Sequence, residues 1–156
     1  GVDGYTLIRV LESFRHNFHE KNPDIITLLI GINDVGLWMA NPSIPLFHQA
    51  AQFRLKLTRL LKLLSRNTAS VYVLEPFVFP HPAEYLNWFE PLAAISQIME
   101  ELCQTYQAKF IPLHQSFNHL ASQVGYPLLT TDGIHLTAVG HRIIAAKLME
   151  YFENPA

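Results

Sequence analysis

The stretch "DIITLLIGIND" constrains this chain more than any other. From Ile25 to Ile30 it is apolar without alternation, and it is too short to be a membrane span. A run of that length and β-branched content reads as a strand covered on both faces, the environment of a parallel sheet. Parallel strands need long crossovers, so helices should stand between them. The spacing supplies them. Residues 6–20 carry Leu7, Ile8, Leu11, Phe14 and Phe18 at helical intervals, ending before Asn22-Pro23. Residues 47–66 place Leu57, Leu60, Leu61 and Leu64 on one helical face, with a basic outer face. Strands are predicted at 70–79 ("SVYVLEPFVF") and 108–114 ("AKFIPLH"). Helices are predicted at 90–107 and from Thr137 to Phe152, with a short helix or loop at 116–123. Such alternation predicts a three-layer α/β/α sandwich around a parallel sheet. With 156 residues, no repeat and no linker, the whole of 1–156 is expected to be one domain.

Composition narrows the function classes. Apolar residues make up 49% and charged residues 15%, a globular balance. A formal net charge of −2 offers no basic footprint for nucleic acid. The lone cysteine, Cys103, excludes an internal disulfide and falls on an apolar helical face. No apolar run reaches the ~18–20 residues of a transmembrane helix, so no membrane span is expected. The first residue is Gly1 rather than methionine, so a cytoplasmic location is only the default and a leader could precede it.

In an open parallel sheet, ligands bind beyond the carboxyl ends of the strands. Three segments put functional groups there: "GIND" (31–34), the loop "EPFVFPHPAEYLNWF", and "TDGIHLT" (131–137) ahead of the last helix. Gly31-x-Asn33-Asp34 after a buried strand, with Asp132-x-x-His135 before the final helix, resembles the SGNH or GDSL-type serine esterases and lipases. The opening "GVDGYTL" is similar to that family's glycine block, with Gly4 as the matching residue.

The resemblance implies a flavodoxin-like sheet ordered 2-1-3-4-5. It implies hydrolysis of a small-molecule, glycan or lipid ester through an acyl-serine, with no cofactor and no metal. In it, His135 is the general base, Asp132 orients the imidazole, and the Gly4 N–H and the Asn33 amide face the oxyanion. Trp38, Phe77 and Phe79 are candidates for lining an acyl or alcohol pocket, and core packing explains them equally well. The remaining histidines, His114 at a predicted strand end among them, read as structural. A metal set of Asp132, His135 and His141 lacks familiar ligand spacing.

The family's nucleophile lies in a Gly-Asp-Ser block on the first strand, and no serine of this chain stands in that context. The expectation is an esterase domain lacking its N-terminal block and inactive alone. The alternative is a non-catalytic carbohydrate- or lipid-binding module on the same scaffold. Without the first strand, "IITLLIGI" would be an uncharged edge, which predicts self-association.

Overall fold

The structure is a computed structural model, and it describes residues 2–17, 23–66 and 68–153. Phe18, His19 and Asn22 of the first predicted helix and its stop lie outside them. The elements alternate as predicted. Helix α1 (Leu7–Asn17) precedes β1 (Ile25–Leu29), then α2 (Ile32–Ala40), α3 (Leu46–Leu64) and β2 (Ser70–Leu74). A 3-10 turn (Ala83–Trp88) leads into α4 (Phe89–Tyr106). Then come β3 (Lys109–Ile111), α5 (His114–Val124), the single turn α6 (Tyr126–Leu129) and α7 (Ala138–Glu153). The sheet is parallel, ordered β1-β2-β3, with Ile25 opposite Ser70 and Leu74 opposite both Leu29 and Ile111.

Alternation along β2 builds the three layers. Val71 and Val73 join a core with Leu7 and Leu11 of α1, Phe53 and Leu57 of α3, and Leu92, Ile95 and Met99 of α4. Tyr72 and Leu74 point the other way, into a second core with Phe77, Phe79, Phe117 of α5 and Leu129, over which α7 lays Ile143, Leu148 and Phe152. Every residue of β2 after Ser70 is buried, which is why it reads as an unbroken apolar run.

β1 departs from the expectation of burial on both faces. Leu28 is buried, but Ile25 and Leu29 are 46% and 47% exposed. The cause is its position. It has β2 on one side only, and the α7 layer stops over β2 and β3. The apolar edge anticipated from the sequence is present, and it borders an open groove.

Two strand ends differ as well, and one helix is added. The predicted 70–79 strand ends at Leu74, because Pro76 cannot continue the ladder. Beyond it, Phe79 N–H donates to Gly133 O at 2.9 Å. The 108–114 strand ends at Ile111, and His114 opens α5 rather than closing a strand. Helix α2 was not anticipated; "GIND" is its first turn, entered through Gly31 at φ +117°.

Candidate active site

Four loops meet at the carboxyl end of the sheet: residues 2–6, Ile30–Asn33, the segment after β2, and residues 130–137. Each is held there by interactions that can be named.

The 130–137 turn fixes itself. Thr130 Oγ1 accepts from Gly133 N–H and donates to His135 O, both at 2.8 Å, while Thr131 N–H donates to the same carbonyl at 2.9 Å. Asp132 Oδ1 accepts from the backbone N–H groups of Ile134 (2.9 Å) and His135 (2.8 Å). Asp132 Oδ2 lies 2.7 Å from His135 Nδ1. Gly133 sits at φ +95°, and a Cβ there would collide with His81 O and stand 2.8 Å from the Tyr85 ring. Only glycine lets the loop after β2 close over this turn.

Electrostatics follow from those bonds. Partial burial works to raise the Asp132 pKa. The His135 backbone N–H, its imidazole and the Ile134 N–H outweigh it and hold the carboxyl down to about 2. His135 is shifted up, first by its hydrogen bond to Asp132, against a weaker opposing effect of burial. An ionised Asp132 keeps the proton on Nδ1 and leaves the Nε2 lone pair outward, the tautomer a general base requires. Nε2 faces the groove, 3.7 Å from Asp3 Oδ1.

The second half of the site is assembled over long range. Asn33 donates its amide to Tyr5 O at 3.0 Å, and Asp34, only 6% exposed, accepts from Leu7 N–H at 3.0 Å. The pair thus pins the 2–6 loop over the end of β1. Asp34 also caps α1, satisfying one of its orphan N–H groups. Burial raises the Asp34 pKa, and the bond from Leu7 partly offsets that. Gly4 adopts φ +73°, and a Cβ there would meet nothing within 4 Å. Backbone conformation, rather than space for an approaching atom, is what calls for glycine here. Its N–H donates to Asp3 Oδ1 at 2.9 Å.

Gly4, Asn33 and His135 line one groove of about 730 Å³ that runs along the open side of β1 past Thr27 and Leu29. Asp132 stands behind His135. The structure therefore brings together all four residues singled out from the sequence, although Gly4 N–H and Asn33 each have an internal partner. Of the aromatic candidates, Phe77 lines the groove, Phe79 stacks on Phe117 in the second core, and Trp38 packs edge-on against Phe53. Ser13, in the middle of α1, lines the groove as well. The hydroxyls of Ser65, Ser116 and Ser122 donate to carbonyls three residues back. Among the described residues, no three His, Cys, Asp or Glu side chains gather into a metal-binding group, and no helix is long and apolar enough to cross a membrane.

Sequence reasoning had Asp34 in the motif but gave it no role, because its partner is 27 residues away. It missed Glu75 for the same reason. That carboxylate leaves the end of β2 and accepts from Leu113 N–H (2.7 Å) and His114 N–H (2.8 Å), capping α5.

The profile of the GDSL-like lipase/acylhydrolase family matches residues 1–143. No curated protein matches the sequence. Among solved structures, a Parabacteroides merdae protein described as a GDSL-like lipase by assignment superposes with a TM-score of 0.82 at 20% identity, over 96% of this chain and 69% of that one. The acetyl xylan esterase AlAXEase gives 0.82 at 20%, over 96% and 77%. A catalytic mutant of an acetylxylan esterase from Geobacillus stearothermophilus gives 0.82 at 17%, over 96% and 68%. Nearly all of this chain thus lies within folds that are longer than it is.

Proposed function

The chain belongs to the GDSL-like lipase/acylhydrolase family, and from that premise we propose that it carries the base and the oxyanion donors of a carboxylic ester hydrolase. The observation that carries this reading is the Asp132–His135 pair opening onto the same groove as Gly4 and Asn33.

The chemistry proceeds as follows. His135 Nε2 takes the proton of a serine hydroxyl as its oxygen attacks the ester carbonyl. Negative charge develops on the carbonyl oxygen beside the Gly4 N–H and the second N–H of the Asn33 amide, the first being held by Tyr5 O. The imidazolium then protonates the leaving alcohol, and water, activated by the same nitrogen, releases the acid. Gly4 N–H is freed when Asp3, whose side chain is 95% exposed, turns outward.

The serine, in this proposal, arrives on a strand from outside residues 1–156 that pairs with the open edge of β1. The groove has room for it, and exposed Ile25 and Leu29 would be covered by it. Without that strand, the 156-residue chain hydrolyses no ester through this site, and its β1 edges pair between copies. The substrate reading, a small-molecule or glycan ester, draws support from the acetyl xylan esterases that share the fold.

Joining an apolar strand ending in Gly-Asp-Ser ahead of residue 1 tests the proposal. The expected outcome is hydrolysis of p-nitrophenyl acetate that disappears in His135→Ala. Full activity in His135→Ala defeats the mechanism. A folded, strand-completed protein that hydrolyses nothing returns the chain to the carbohydrate- or lipid-binding reading. For the edge, sedimentation of the chain alone should show concentration-dependent association that Leu29→Lys reduces, because a charge on an edge opposes pairing. A monomer at all concentrations would refute the edge-to-edge contact.

A further inference from the structure

A second, smaller cavity adjoins the groove. It has a volume of about 300 Å³; Thr6, Gly36, Leu37 and Trp88 line it and not the groove, and it shares Gly4, Ile32, Asn33 and Ile134 with the groove. His135 lines only the groove. That asymmetry orients an ester. The base must reach the leaving oxygen to protonate it, so the alcohol lies on the side of exposed His135. The carbonyl oxygen points at the Gly4 and Asn33 donors. The acyl substituent leaves the same trigonal carbon in the remaining direction, and the cavity beside the donors is a space that can receive it.

We infer that this cavity is the acyl pocket, that it takes short unbranched acyl groups, and that Gly36 and Trp88 set their length. The inference rests on the ester-hydrolase reading and goes beyond it in naming the part of the substrate held there. Its walls are largely apolar, as a hydrocarbon tail requires. Two of its lining residues, Gly36 and Trp88, stand in close contact. Gly36 lies in α2, and a Cβ at that position would stand 3.2 Å from Trp88 Cη2. Trp88 also makes an edge-to-face contact with Tyr85, ring centroids 4.8 Å apart, which helps hold its ring. Any side chain at position 36 therefore subtracts volume from the pocket. A smaller ring at position 88 adds it.

The 156-residue chain can be tested without turnover. In a Trp38→Phe background, Trp88 is the sole tryptophan, since the sequence has two. Titration with sodium acetate, butyrate and octanoate at pH 6 should change its fluorescence, with butyrate bound tightest. Gly36→Ala should weaken butyrate by about tenfold or more and leave acetate nearly unchanged, the scale of discrimination one or two methylenes give in a fitted pocket. Trp88→Phe, followed in the strand-completed protein through p-nitrophenyl ester turnover, should shift the optimum from butyrate towards longer esters. Circular dichroism melts confirm that each variant folds. Carboxylate binding indifferent to both chain length and Gly36→Ala overturns the inference, as does an absence of binding. The two readings fail separately. Turnover that depends on His135 but ignores positions 36 and 88 keeps the hydrolase and removes the pocket. Chain-length-selective binding without turnover in the strand-completed protein keeps the pocket and removes the hydrolase.

Discussion

The two halves of the site are built on opposite principles. The Asp132–His135 half is a turn that satisfies its own polar groups within seven residues, from Thr130 to Leu136, and it needs only the loop after β2 to cover Gly133. The Gly4–Asn33 half depends on contacts across 27 and 28 residues and stands at the end of a strand with one free edge. The first half is preorganised by local hydrogen bonds. The second is preorganised only as far as β1 is held in place. An acyl-transfer site needs both at once, because the base and the oxyanion donors act on the same carbonyl.

The largest expected effect comes from the local half. In the strand-completed protein, His135→Ala should lower kcat by about 10⁴-fold or more, leaving only what binding and the oxyanion donors supply. Asn33→Ala, in the long-range half, should cost about 10²–10³-fold in kcat, the range for removing one such donor. The comparison breaks if the order reverses. Steady-state kinetics on the two variants, with melts to confirm folding, decide it.

The next effect is on stability. Asp34→Ala leaves the Leu7 N–H buried without its acceptor and removes the α1 cap together. A loss of about 1–3 kcal/mol is expected in chemical denaturation. Because the same pair of residues pins the 2–6 loop, Asp34→Ala should also disturb Gly4, whereas the 130–136 turn should keep its amide chemical shifts. If that turn loosens equally, the two halves are one cooperative unit and the contrast between them is wrong.

The same division explains what could be read from the amino acids. The β1 run, the leucines of α3 and the Asp132-x-x-His135 spacing are local patterns; the first two fall in a strand and a helix, and in the third the two side chains touch. Helix α2 escaped because its first turn contains Asn33 and Asp34, residues that favour caps and turns, and no side chain caps it. Asn33 and Asp34 sit in a helix because their side chains are engaged by Tyr5 and Leu7, which no local window contains. The early end of β2 had a visible sign in Pro76. The capping of α5 by Glu75 had none, since it bridges 38 and 39 residues. The one-sided burial of β1 is a fact about neighbours, and an apolar run does not state how many neighbours it has.

The smallest effect is a titration, and it isolates the local half in the 156-residue chain itself. Asp132 is held down to about 2 against its partial burial, by the His135 backbone N–H first and then by the His135 ring, and the ring's bond to Asp132 raises His135 above its ordinary value. A depressed carboxyl contributes stability above its unfolded pKa, near 4, and loses it as the pH falls through about 2. A raised imidazole contributes stability below its unfolded pKa, near 6.5, and loses it as the pH rises through the folded value. Both losses should be modest, because the pair is half exposed and screened by solvent. Asp132→Asn should therefore return the His135 titration, followed by NMR of its ring protons, towards or below the ordinary value. It should also flatten the weak dependence of stability on pH at both ends. An Asp132→Asn variant whose His135 still titrates high would mean that Asp3, 3.7 Å from Nε2, carries the shift. The half described as self-sufficient would then depend on the 2–6 loop after all.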